Sequence, residues 1–81
     1  MRKRKNRGGL IKTKLKASDI EARKAPEGQY RVIGVSNNPL SVWVEGTYTD
    51  FKSAKLVVDN QASEVVKYYV HSDSNRILYR G

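Results

Sequence analysis

The sequence predicts a small α+β domain: a mainly antiparallel four-stranded sheet in the order ββαββ, one helix on one face, and a basic N-terminal arm. Three observations carry this. Several short runs alternate apolar and polar residues with a period of two, a single segment has helical period, and the charge is confined to one end. The chain has 81 residues, no cysteine and a formal charge of +8, enough for one modest core. Residues 1–16 hold eight bases (Arg2, Lys3, Arg4, Lys5, Arg7, Lys12, Lys14, Lys16) and no acid. The remaining eight bases and all eight acids lie in residues 17–81, so the body is neutral.

The elements follow in chain order. Residues 1–9 have a Gly8-Gly9 pair, dense like charge and almost nothing to bury, which predicts a disordered arm. From Leu10 to Ala17, Ile11, Thr13, Leu15 and Ala17 alternate with lysines, the pattern of an edge strand. Ser18 and Glu21 form a capping-box pattern that predicts a helix of at most two turns, ended by Pro26, and Glu27-Gly28 reads as the hinge into the body. Residues 10–28 thus form an intermediate segment, and residues 29–81 the ββαββ domain.

Gln29 to Val35 and Val42 to Thr49 read as strands joined across Ser36-Asn37-Asn38-Pro39, with Gly46 marking a bulge or a close backbone approach. Asp50 caps a helix whose Phe51, Ala54, Val57, Val58, Gln61 and Ala62 share one arc, leaving Leu56 outward. Glu64 to His71 and Arg76 to Arg80 are the last two strands, separated by the turn Ser72-Asp73-Ser74-Asn75.

One helix covers one face of a sheet, so the other is solvated, paired with another molecule, or closed by the N-terminal segment. If Val42, Val44, Tyr48, Val66, Tyr68, Val70, Ile77 and Tyr79 face the helix, strict alternation gives the opposite face Trp43, Glu45, Thr47, Lys67, Tyr69, His71, Arg76, Leu78 and Arg80. Bases and aromatic rings on one surface are what a platform for unpaired nucleotides requires, each stacked base being worth about 1–3 kcal/mol. The competing reading is ordinary packing or a dimer contact, with Trp43 closing a second small core beneath Leu10, Ile11 and Leu15.

Enzymatic classes find little support. One histidine, no cysteine and scattered acids do not make a metal centre, and no cofactor is expected. His71 reads as a solvated or hydrogen-bonded residue, and no nucleophile, general base and oxyanion arrangement or phosphate-binding glycine loop is visible. The expectation is a non-enzyme. A secretory signal and a membrane span are not expected, because only Leu10 and Ile11 interrupt the basic cluster. A mitochondrial-type presequence and a nuclear-localisation role for Arg2 to Arg7 are alternative readings of the arm, as is a purely solubilising tail.

Two resemblances arise. Tyr30-Arg-Val-Ile-Gly-Val35, Trp43-Val-Glu-Gly46, Tyr48, Ala54 and Tyr68-Tyr-Val70 ahead of Asp73 resemble a group of small uncharacterised bacterial proteins. That resemblance spans about fifty residues and implies a fold without an activity. Asn6-Arg-Gly8, Lys12-Thr13, Gly28 and Tyr30 are similar to the arm-type DNA-binding domain of tyrosine integrases, which places a three-stranded sheet on DNA. Here a hairpin follows the helix and no catalytic domain is expected, so no base-reading residue carries over.

The sequence therefore leads to a cytoplasmic or nucleoid-associated module that binds nucleic acid, either DNA or RNA. Its expected contacts are Arg2, Lys3, Arg4, Lys5, Arg7, Lys12, Lys14 and Lys16 on phosphates, with Trp43, Lys67, Tyr69, Arg76 and Arg80 on the sheet. The alternative is a protein-interaction module whose open sheet face forms a homodimer or docks an acidic partner. No membrane insertion is expected.

Overall fold

The computed structural model describes residues 13–16, 18–37 and 39–81. The expectation of a disordered arm over residues 1–9, and the bases Arg2, Lys3, Arg4, Lys5, Arg7 and Lys12, lie outside the described residues. Five strands and one helix follow in order: β1 (Thr13–Leu15), β2 (Tyr30–Asn37), β3 (Leu40–Tyr48), α1 (Phe51–Gln61), β4 (Val66–His71) and β5 (Ile77–Arg80). They form one antiparallel sheet in the spatial order β1-β3-β2-β4-β5. The four-stranded expectation is thus corrected to five, because Thr13–Leu15 of the alternating segment pairs with Val42–Val44 at the edge of β3.

Helix α1 begins where its sequence dictates. The Asp50 carboxylate accepts from the Ser53 backbone N–H at 2.9 Å and from its hydroxyl at 3.0 Å, satisfying an otherwise unpaired donor of the first turn. The same bonds hold the Asp50 carboxyl below its ordinary range. Ala54 and Val58 are buried against Val32, Tyr68 and Val70, while Phe51, Val57 and Ala62 flank them. Leu56 is exposed, as the helical wheel requires, but Gln61 is exposed too, because the arc of the last turn passes beyond the sheet. At the far side of the helix the Tyr79 hydroxyl donates to Asp59 at 2.5 Å, and Lys55 bonds the same carboxylate at 3.0 Å, tying α1 to β5.

Two bulges set which side chains face the helix. Val32 pairs with Gly46 but Ile33 pairs with Val44, so Glu45 is an extra residue in β3. A one-residue insertion reverses the alternation beyond it. Tyr48 and Gly46 therefore share the helix side with Trp43, whereas Val42 and Val44 turn to the opposite face. In the same way Val70 pairs with Tyr79 but His71 with Ile77, which carries Ile77 away from the helix side. The expected helix-facing positions of Val42, Val44 and Ile77 are corrected on this account, and those of Tyr48, Val66, Tyr68, Val70 and Tyr79 stand.

Trp43 lies on the helix side, directly opposite Gly34, and makes an edge-on contact with Tyr68 at 6.2 Å. A Cβ on Gly34 would sit 2.5 Å from the indole ring, so only glycine lets the indole lie flat on β2. Gly46 serves Tyr48 in the same manner, with the phenol oxygen 2.6 Å from a notional Cβ.

The second face is not left bare. The chain leaves β1 at one edge of the sheet, yet the Ile20 carbonyl accepts from Asn75, in the β4–β5 turn near the other edge, at 3.0 Å. Residues 18–29 therefore cross this face as a strap. Ile33 is wholly buried, and Val42 and Ala25 nearly so, although none belongs to the helix-side cluster. The short helix expected from Ser18 and Glu21 is a single 3-10 turn, Glu21–Arg23, with Ile20 at its N-cap and Asp19 accepting from the Ala22 N–H at 3.2 Å. Its polar groups are taken by the body: the Arg31 guanidinium donates to the Ala22 and Lys24 carbonyls, and the Ala25 N–H donates to the Ser72 carbonyl at 3.1 Å. A continued α-helix would need the Ala25 N–H for its own ladder, donating to the Glu21 carbonyl.

Candidate nucleic-acid interface

Strand register lays out the second face in rows. Thr47, Arg31, His71 and Ile77 form one row, Val44, Ile33, Tyr69 and Arg80 the next, and Val42, Val35 and Lys67 the third. The strap is anchored over the first row, by its bonds to Arg31, Ser72 and Asn75 and by the Gly28 N–H donating to Asp73 at 2.8 Å. At the opposite corner Lys67, Tyr69 and Arg80, with Gly81, line an open depression of about 400 Å³.

The geometry of that corner follows from the ladder. Tyr68 and Gly81 exchange both backbone bonds, at 3.2 and 3.1 Å, so the next pair, Tyr69 and Arg80, is a narrow one with its side chains close together. Lys67 lies two residues from Tyr69 on the same face, about 6.8 Å along the strand. A half-buried phenol is thus bracketed by an ammonium and a guanidinium, both exposed. Such a corner can take an anion on each cation while the ring accepts a flat apolar surface.

Of the residues singled out from sequence, Lys67, Tyr69 and Arg80 are brought together. Trp43 is not one of them. The Glu45 bulge turns it to the helix side, where its Nε1 donates to the Glu45 carboxylate at 2.8 Å and its ring packs on Gly34 and Tyr68. Glu45 goes with it, and together with burial its charge raises the Tyr48 and Tyr68 hydroxyls above their ordinary value, burial being the larger cause. The alternative placement of Trp43, in a second core beneath Leu10, Ile11 and Leu15, is corrected by the same bulge. Arg76 stands in the β4–β5 turn, its N–H donating to the Ser72 hydroxyl and its carbonyl accepting from the Ser72 N–H, at the wrong end of the sheet for the corner. Lys14 is opposite Trp43, so it too points to the helix side, and Lys16 is exposed just beyond β1.

Two residues carry more structure than their sequence positions advertise. Arg31 looks like a strand cation but acts as the clasp of the strap. His71, expected to be solvated or hydrogen-bonded, is the second of these: it is buried beneath the strap side of the sheet, 4% exposed, with Nδ1 2.9 Å from the Asn75 side-chain oxygen. Asn75 has φ of 62°, a conformation asparagine tolerates better than most residues, and that was the one signal in the Ser-Asp-Ser-Asn turn. Among the described residues no group of three or more His, Asp or Glu side chains comes together that could hold a metal ion, and no helix is long and apolar enough to cross a membrane.

No family model, curated protein or solved structure matches the chain.

Proposed function

We propose that this chain is a non-enzymatic module that binds nucleic acid, with exposed bases stacking at the Lys67–Tyr69–Arg80 corner and the N-terminal lysines and arginines neutralising phosphates. The observation that carries the reading is the convergence of two cations and an aromatic ring in one open depression on a sheet face. The segregation of eight bases into residues 1–16 supports it independently. The two parts have different work. The basic segment supplies affinity that depends on salt, whereas the corner favours nucleotides whose bases are not already stacked within a duplex. A cytoplasmic or nucleoid-associated location belongs to the same reading.

Deleting residues 1–9 should weaken binding of a labelled oligonucleotide and flatten its salt dependence. With all eight N-terminal bases engaged on duplex phosphates the log–log slope would reach roughly −7, and losing the five in residues 1–9 would bring it to roughly −3. Equal affinity with and without these residues would remove the arm from the interface.

A second reading, docking of another copy of the chain, is favoured by the outer strand β5, where Ile77 and Leu78 are 56% and 44% exposed. Light scattering separates the two, since a dimer insensitive to salt that shifts no oligonucleotide would support docking instead.

A further inference from the structure

The strap is fastened through a polar chain whose base is a buried imidazole. The Asn75 side-chain oxygen can only accept, so the Nδ1 of His71 is the donor in their 2.9 Å bond, and the Asn75 amide nitrogen in turn donates to the Ile20 carbonyl at 3.0 Å. His71 thereby orients the side chain that holds the start of the strap; a second proton is taken up at Nε2 and leaves this bond in place, so release comes from charging a buried ring and not from breaking the chain. We propose that protonation of His71 releases the strap, making residues 18–29 an acid-opened cover over the second face of the sheet.

The groups around the imidazole give the direction. From the strap comes Arg23, whose positive charge acts on the ring. From β2 comes Arg31, its register partner, with the guanidinium turned to the strap carbonyls of Ala22 and Lys24. From β5 comes Ile77, which is apolar, and from the β4–β5 turn comes Asn75. The carboxylate of this turn, Asp73, accepts from the Gly28 N–H. Of the two cations, Arg23 opposes a charge on the imidazole. Burial, the largest cause, and Arg23 hold His71 below its ordinary value of 6.5, against the upward pull of the Asn75 bond.

The sign follows by linkage. With the strap open, His71 is solvated and titrates near its ordinary value, so the open form binds the proton more tightly than the closed form. Above that value the closed strap incurs no penalty. As pH falls from about 6.5 towards the lower value of the closed form, opening becomes more favourable by about tenfold for each unit separating the two. Helix-side residues lie on the other face and do not share this response.

The test uses the full chain without ligand and does not depend on the nucleic-acid reading. Its one histidine can be followed by NMR from about pH 8 to about pH 5 while amide-exchange protection is measured for Ala25 and Gly28, with Val32 and Val70 as helix-side references. The expected result is a His71 midpoint below 6.5 and a progressive loss of Ala25 and Gly28 protection as pH falls below about 6.5, with Val32 and Val70 unchanged. His71→Gln should abolish the pH dependence, and Arg23→Gln should raise the midpoint and shrink the loss. Protection that stays constant across the range, falls equally in His71→Gln, or falls in parallel at Val32 and Val70 would overturn the proposal.

Discussion

The flat seat of Trp43 on Gly34 is the most demanding single contact in the fold. Gly34→Ala places a Cβ 2.5 Å from the indole, which must then move off β2 and lose its edge-on contact with Tyr68. The expected cost is about 1–3 kcal/mol, typical of overpacking, measured as a lower denaturation midpoint together with altered Trp43 emission. At the corner, Tyr69→Ala should weaken binding of a single-stranded oligonucleotide by about 5- to 150-fold, the equivalent of one stacked base, and leave stability nearly unchanged. Residue identity alone made the Asp50 cap and the outward Leu56 readable. It could not reveal the role of Gly34, because a glycine in a strand looks like a weak position until the ring that covers it is known.

At the scale of elements, the helix and the strands were legible because hydrophobic period is a local property, whereas the faces were not. Gly46 advertised an irregularity in β3, but the bulge transfers every residue before Glu45 to the other side, and with it Trp43 from the second face to the helix side. The strap was beyond reach for a different reason. Its stability comes from contacts distant in sequence, such as Gly28 to Asp73 and Ile20 to Asn75, so the local capping-box pattern at Ser18 and Glu21 was outcompeted by the body. Asp73→Ala should therefore loosen the strap selectively. Amide exchange at Gly28 and Ala25 is expected to quicken by about two- to tenfold, the worth of one hydrogen bond, with Val58 unaffected. On the other side of the sheet, the Tyr79 and Lys55 bonds hold the Asp59 carboxyl below its ordinary value, the Tyr79 bond being the larger cause. That tie is present above the ordinary carboxylate range and is lost as pH falls through the depressed value, so β5 should loosen from α1 only in strong acid. This separates it from the His71 response in mild acid.

For the whole molecule, the two faces of the sheet divide the labour. The helix side holds the main core with Trp43 inside its margin, and the second face is closed at one end by the strap and left open at the other, where Lys67, Tyr69 and Arg80 meet. Charge segregation is visible in the sequence: the net charge belongs to residues 1–16, and the body sums to zero. What sequence could not supply is where on the body a selective contact would lie, since that depends on which side each bulge sends a ring. The most direct test is fluorescence anisotropy of a labelled single-stranded oligonucleotide titrated with the full chain and with a Lys67→Ala, Tyr69→Ala, Arg80→Ala triple variant at fixed salt, beside a duplex of the same sequence. The account predicts that the wild-type chain binds the single strand more tightly than the duplex and that the triple variant loses this preference while retaining the salt-sensitive binding of the basic segment. An unchanged single-strand preference in the triple variant, or no binding of either oligonucleotide by the wild-type chain, would contradict it.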